Sequence, residues 1–250
     1  MKPLLQFNGV SYVYHTPQGE TPALSDLSFS LYPGEFLSIV GPSGCGKSTL
    51  LSLIAGLITP SSGTITMEAS HKIGYMLQKD HLFEWCNIEK NVALGPRIAH
   101  APRRDWDDCI TNLLSVYGLT GFRYAKPSQL SGGMRQRAAL IRTLALSPDL
   151  LLLDEPFSAL DYQTRLEVCD DIYAIIKNEK KSAILVTHDL AEAISVGDRV
   201  LVLGHRPARV QADIPISFAM EKRVPFACRN APEFKIYFNE IWKELKSDGN

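Results

Sequence analysis

Residues 4–14 and 24–31 alternate apolar and polar side chains, and a stretch at 16–22 bearing Pro, Gly and Thr separates them. A period of two on both sides of such punctuation predicts two strands joined by a turn. The short apolar run EFLSIV (35–40) predicts a buried strand, and the spacing from Lys47 to Leu57 predicts a helix. TPSSG (59–63) predicts a turn, with strands at 64–67 and 72–77. From about 86 to 145 the period becomes helical. Trp106, Ile110, Leu113, Leu114 and Tyr117 fall on one helix face. LLLL (150–153) and AILV (183–186) are apolar throughout and bounded by polar residues, as strands buried on both faces are. Between them Leu166, Cys169, Tyr173 and Ile176 form a helical stripe. No repeat or low-complexity linker interrupts the pattern, which predicts one α/β domain over residues 1–250 with a helical insertion at about 79–145.

Composition narrows the setting. The 250 residues are 45% hydrophobic, enough for one large core or two small ones. A net charge of -1 gives no reason to expect nucleic acid as a partner. The five cysteines (Cys45, Cys86, Cys109, Cys169 and Cys228) show no pair at metal-ligand spacing, which points to a reducing compartment. The opening MKPLLQFNGV lacks the apolar core of a signal peptide, and no apolar run approaches the roughly 18 residues needed to cross a bilayer. The expectation is a cytoplasmic chain that reaches a membrane only through a partner.

The candidate chemistry begins at GPSGCGKST (41–49), which fits G-x-x-x-x-G-K-[ST] at Gly41, Gly46, Lys47 and Ser48. Average composition yields about one chance match per hundred chains of this length. A chance match would seldom also fall between a buried strand and a helix, so a phosphate loop is favoured over a plain glycine-rich turn. Glycines let backbone N–H groups face phosphate oxygens, and the following helix directs its positive end at them. The loop from Gly41 through Pro42, Ser43, Gly44, Cys45 and Gly46 to Lys47, Ser48 and Thr49 is thus the candidate nucleotide contact. Lys47 would reach the β- and γ-phosphates, and the Ser48 hydroxyl would coordinate Mg²⁺. LLLLDE places Asp154 at a strand end, where it can hold the Mg²⁺ shell, and Glu155 beside it as a general base for water. An acidic pair after a strand is often a helix cap; the phosphate loop upstream is what gives it catalytic meaning.

A second phosphate-gripping pattern is harder to place. In QLSGGMRQRAAL (129–140), Ser131, Gly132 and Gly133 precede a helical run, yet no lysine follows and no strand leads in. Ser131 as a simple helix cap leaves two glycines that weaken the helix without return. Close approach to a phosphate bound elsewhere explains them better. Here the chain resembles the ATP-binding subunits of ABC transporters over nearly its whole length. GPSGCGKST is similar to that family's Walker A, LSGGM to its signature and LLLLDEP to its Walker B. SALD (158–161) is similar to its D-loop, Gln78 to its Q-loop and His188 to its switch histidine.

The resemblance implies a P-loop NTPase core of ABC type with an antiparallel β subdomain and an inserted helical subdomain. It implies a head-to-tail homodimer in which Ser131, Gly132 and Gly133 contact the γ-phosphate of the other subunit's ATP. It further implies that His188 contacts the γ-phosphate and water, and that Gln78 senses Mg²⁺. Tyr14 would stack on adenine, and Asp161 would lie at the dimer interface. Read alone, His188 after a buried strand is more often a structural histidine, Tyr14 is simply a strand aromatic beside Tyr12, and Asp161 is a helix cap.

Two details resemble the nitrate/sulfonate/taurine importer branch: Met134 in the signature, and LQKDHLFEWCNIEKNV (77–92), which departs from that branch's pattern at Glu84, where proline is common, and at Cys86–Asn87. This segment would receive a membrane permease, itself served by a solute-binding protein, with Trp85 as either interface anchor or core residue. The C-terminal PEFKIYFNEIWKEL also resembles that branch, with Phe234, Phe238, Ile241, Trp242 and Leu245 on one docking face. The alternatives are a non-transport ABC ATPase of the iron–sulfur-assembly type, against which DHLFEW argues, and a P-loop kinase or switch, which leaves the signature and His188 unexplained.

Overall fold

The computed structural model describes residues 2–17, 19–68, 70–158, 160–221 and 223–247, and the chain divides into two compact units, one of residues 1–71 with 169–250 and one of residues 72–168. In the first unit β1 (Leu5–Thr16) and β2 (Gly19–Leu31) pair antiparallel from Leu5↔Leu31 to Thr16↔Gly19. The pairing consumes most of the predicted 16–22 turn, because Tyr14↔Thr21 and His15↔Glu20 carry the ladder outward on solvated residues. Gln18 of that turn lies outside the described residues. β4 (Ser62–Met67) completes a three-stranded antiparallel sheet in the order β2-β1-β4.

A second, mostly parallel layer carries the phosphate loop. β3 (Phe36–Val40) is buried along its length and lies between β7 (Ser182–Val186) and β8 (Arg199–Leu203), parallel to both. β9 (Val210–Pro215) pairs antiparallel with β8. After β3 the chain turns through Gly41–Gly46 into α1 (Lys47–Ile54). This helix stops three residues short of the predicted Leu57 because Gly56 takes φ +69. Gly56 N–H donates to Leu53 O and Leu57 N–H to Ser52 O, the paired bonds of a glycine-terminated helix. α7 (Leu190–Val196), α8 (Pro225–Cys228) and α9 (Pro232–Ser247) complete the unit. α9 docks as its stripe predicts, with Ile241 fully buried among Val200, Val202 and Ile214, an effect worth about 1.5–3 kcal/mol. Trp242 departs from the expected docking face: it is half-exposed and stacks on Phe238 at 6.2 Å.

The second unit pairs β5 (Ile73–Met76) parallel with β6 (Leu150–Asp154), so it is wider than the predicted insertion at 79–145 and holds strands as well as helices. The helical run is broken into α2 (Ile88–Val92), α3 (Leu94–Ile98), α4 (Arg103–Val116) and α5 (Gly132–Leu144). Pro102 opens α4, and Asn87 caps α2 by accepting from Lys90 N–H at 2.9 Å. Ile110, Leu113 and Leu114 are the buried face of α4, as their spacing predicts. α6 (Tyr162–Asn178) begins in this unit and ends in the first. Among the described residues no helix is long and apolar enough to cross a membrane.

Candidate functional site

In the first unit the candidate residues gather at the carboxyl ends of parallel strands, where open α/β sheets bind ligands. β3 delivers the Gly41–Gly46 loop, and the loop fits a phosphate on three counts. A Cβ on Gly41 would stand 2.9 Å from Leu203 O, and one on Gly46 would stand 2.7 Å from Leu24 Cδ2, so the backbone is pressed inward where side chains have no room. Gly46 also takes φ +123, a conformation that glycine alone adopts cheaply. The N-cap of α1 is Gly46, which has no side chain to cap the first turn, and the positive end of the helix there favours an anion. Lys47 is buried and turns back over the loop, its Nζ donating to Gly41 O at 2.8 Å and Pro42 O at 2.9 Å. Ser43, Gly44 and Ser48 are exposed on the same turn. Cys45 is buried beside them; burial pushes its thiol up, while Lys47 draws it partly back.

Tyr14 bonds to the helix that follows this loop, and His188 follows the strand paired with β3. The Tyr14 hydroxyl shares a 2.9 Å hydrogen bond with Thr49 Oγ1, and its ring meets Tyr12 edge-on at 4.9 Å. That bond ties the strand aromatic to α1. His188 is exposed just after β7, whose neighbour in register is β3. Residues not singled out in the sequence fix its turn. Thr187 N–H donates to Ile39 O, and Thr187 Oγ1 donates to the buried Glu192 at 2.6 Å. Asp189 caps α7, accepting from Ala191 and Glu192 N–H. The signal was present in the sequence as D-x-x-E, the spacing of a capping box.

The second unit holds the acidic pair. Asp154 ends β6, is buried and accepts from the Tyr75 hydroxyl at 3.5 Å. Glu155 follows with φ +45, a left-handed backbone unusual for a side-chain-bearing residue and worth about 1–3 kcal/mol of strain. Gln78, two residues past β5, donates through Nε2 to Glu155 Oε2 at 3.1 Å. Gln78 and the general-base candidate Glu155, 77 residues apart, are thus joined through the β5–β6 pairing.

Ser131 caps α5 by accepting from Met134 N–H at 3.3 Å and is exposed, as is Gly132. The two glycines separate in meaning. A Cβ on Gly133 would fall 2.6 Å from Thr164 Cγ2 of α6, so packing within the chain already requires that glycine. A Cβ on Gly132 would meet only Leu160, at an ordinary 3.4 Å. Sequence reasoning assigned both to a phosphate, and the fold supplies a second reason for Gly133. Asp161 accepts from Thr164 N–H at 3.1 Å and so caps α6; bonds from the Thr164 side chain and N–H hold its carboxyl below the usual range. Ala159 of the SALD stretch lies outside the described residues.

The ABC transporter family model matches residues 24–158. An uncharacterised ABC transporter ATP-binding protein of Bacillus subtilis is 45% identical over 97% of this chain and 96% of its own length. A taurine import ATP-binding protein of Roseobacter denitrificans is 40% identical over 86% of this chain and 83% of its own. A nitrate import ATP-binding protein of Synechocystis is 36% identical, with coverages of 97% and 95%. Among solved structures, a dimeric bacterial ABC transporter cassette superposes with a TM-score of 0.73 at 28% identity, covering 85% of this chain and 99% of that one. A post-hydrolysis dimer of that cassette, bound to ADP and Pi, matches equally well. The chain belongs to the ABC transporter family and is an ATP-binding cassette, of a family that hydrolyses ATP.

Proposed function

We propose that the chain is the ATP-hydrolysing subunit of an importer. Two copies pair head to tail around two MgATP and drive solute through a separate membrane permease, fed by a solute-binding protein. The subunit then sits on the cytoplasmic face of the membrane through that permease. The observation that carries the pairing is the start of α5. Ser131 and Gly132 stand exposed at a helix N-terminus, a phosphate-binding geometry with no lysine loop of its own. The dimeric state of the solved cassette supports the pairing of two copies.

Within each site Tyr14 stacks on the adenine, the Gly41–Gly46 backbone and Lys47 hold the phosphates, and His188 contacts the γ-phosphate. Ser48, Gln78 and Asp154 offer hard oxygen donors, the chemistry Mg²⁺ requires. Gln78 spends its Nε2 on Glu155, which leaves its amide oxygen for the metal. Glu155 takes a proton from the attacking water. Ser131, Gly132 and Gly133 close on the other subunit's ATP, with Asp161 at the same interface.

The import role rests on the named roles of the taurine and nitrate relatives and on Trp85. That residue is 75% exposed and stacked on Phe83 at 4.7 Å, so it lies on the surface and not in the core, which supports its reading as an interface anchor. Trp85→Ala removes no buried contact, and its stability should stay within about 0.5 kcal/mol of the parent apart from the lost stacking. The variant is expected to keep its melting temperature and basal ATPase while failing to co-purify with its permease. Undiminished co-purification would detach the 77–92 surface from the import reading.

A further inference from the structure

A polar cluster in the second unit takes no part in the chemistry above. Arg135, in the first turn of α5, grips Asp80 with both ends of its fork, Nε to Oδ2 at 2.8 Å and Nη2 to Oδ1 at 3.2 Å. Its remaining nitrogen, Nη1, lies 2.8 Å from Glu84 Oε1. About two turns further along the same face of α5, Arg142 donates to the carbonyls of Asp80 and His81 at 2.6 and 2.7 Å. His81 has φ +45, and the kinked backbone there presents those carbonyls to the helix. The next stretch is fastened too. The side chain of fully buried Asn91 accepts from Phe83 N–H at 2.7 Å and donates to Phe83 O at 3.1 Å. Phe83 in turn carries the exposed Trp85 ring.

An exposed ion pair would carry little weight. Here the Arg135 and Asp80 side chains are only 26% and 19% exposed, the bond is bidentate, and Asp80 also accepts from Leu82 N–H. Burial pushes the Asp80 carboxyl up, but the bonds from Arg135 and Leu82 outweigh it and hold the group below the usual range. The other end of Arg135 meets the signature: its backbone N–H donates to Ser131 O at 2.9 Å. One residue therefore touches both the segment that leads to Trp85 and the serine that caps α5. Glu84, where the resemblance leads one to expect proline, supplies the second carboxylate of this clamp.

We propose that Arg135 is a positioning residue for the signature. By gripping Asp80 and Glu84 it joins residues 80–85 and the first turn of α5 into one body, so that a load on Trp85 is felt at Ser131. The proposal rests on the reading that Ser131 and Gly132 contact the other subunit's ATP. The Glu155→Gln protein, which holds ATP without consuming it, gives the assay: the ATP concentration at half-dimerisation, followed by sedimentation. In that background Arg135→Gln is expected to raise the concentration about tenfold, while the affinity of the monomer for a fluorescent ATP analogue stays unchanged. Arg135→Lys, which keeps the charge but cannot fork, should give a smaller rise with the fold intact. Asp80→Asn, which leaves the Glu84 contact, should raise the concentration no more than Arg135→Gln does, and the double variant should be no worse than Arg135→Gln alone, because the Asp80 bond is already lost in that variant. Ser131→Arg serves as the control and should abolish dimerisation. If Ser131→Arg abolishes it and both Arg135 variants leave half-dimerisation unchanged, the positioning role is wrong. Additive effects of Asp80→Asn and Arg135→Gln would overturn it as well. Normal dimerisation by Ser131→Arg would instead remove the shared-site reading, and this proposal with it.

Discussion

Glu155→Gln should bind ATP, accumulate as an ATP-bound dimer and hydrolyse at least about a hundredfold more slowly than the parent. The amide is the same size as the carboxylate but cannot take a proton, and general-base catalysis contributes about 10²–10⁴ in rate. The local structure should tolerate the change. Glu155 accepts a bond from Gln78 Nε2, and an amide oxygen can still accept it. Its left-handed backbone is held by the turn that follows, where Ser158 N–H and Oγ both donate to Glu155 O, and that carbonyl is untouched. Because the loss falls on the reacting state alone, ATP affinity should hold while turnover collapses. Single-turnover hydrolysis beside sedimentation checks both halves, and near-normal turnover would take Glu155 out of the mechanism.

Lys47→Ala should fail one step earlier, at binding. The Lys47 ammonium is buried against Gly41 O and Pro42 O, so its direction is fixed before any ligand arrives. A hydrogen bond to a charged group contributes about 1.5–3 kcal/mol, so ATP affinity should fall by about tenfold to over a hundredfold. The parent should gain melting temperature on adding ATP and the variant should lose that gain, since only ligand bound to the folded state stabilises it. The melting temperature without ATP separates this from damage to the loop, whose two carbonyls lose their donor. An ATP-dependent shift equal to the parent's would show that Lys47 does not hold the phosphates.

The sequence and the structure meet most closely where one short stretch carries its own cause. The phosphate loop needed only a buried strand, glycines and a lysine in order, and β3, Gly46 and Lys47 sit accordingly. Elements defined by long-range packing were less legible. The second unit reaches beyond 79–145 because β5 pairs with β6, a contact between residues more than 70 positions apart that no local period announces. The packing reason for Gly133 was hidden because its neighbour Thr164 lies 31 residues away in the chain. The Asp80–Arg135–Glu84 clamp was invisible for the same reason: each residue alone reads as an ordinary solvated charge. Trp85 was undecidable from sequence, since an aromatic beside Phe83 serves a core or a surface equally, and only its exposure separates the two.

The central claim, that each ATP is shared between the lysine loop of one subunit and the signature of the other, is tested most directly by mixing two inactive proteins. Lys47→Ala disables the loop side, and Ser131→Arg places a bulky cation where the signature meets phosphate. Each homodimer then has two dead sites. In a mixed dimer the Ser131→Arg subunit offers its intact loop to the intact signature of the Lys47→Ala subunit, so one site is whole and the other doubly dead. Random pairing of an equal mixture makes about half the dimers mixed, so up to about a quarter of the parent's sites should return. ATP-driven dimerisation and turnover are measured together on the mixture, with both variants first shown to be folded. Recovery of dimerisation, accompanied by up to that quarter of the parent's turnover, is the predicted result; a mixture as inactive and as monomeric as its two components would contradict the shared site.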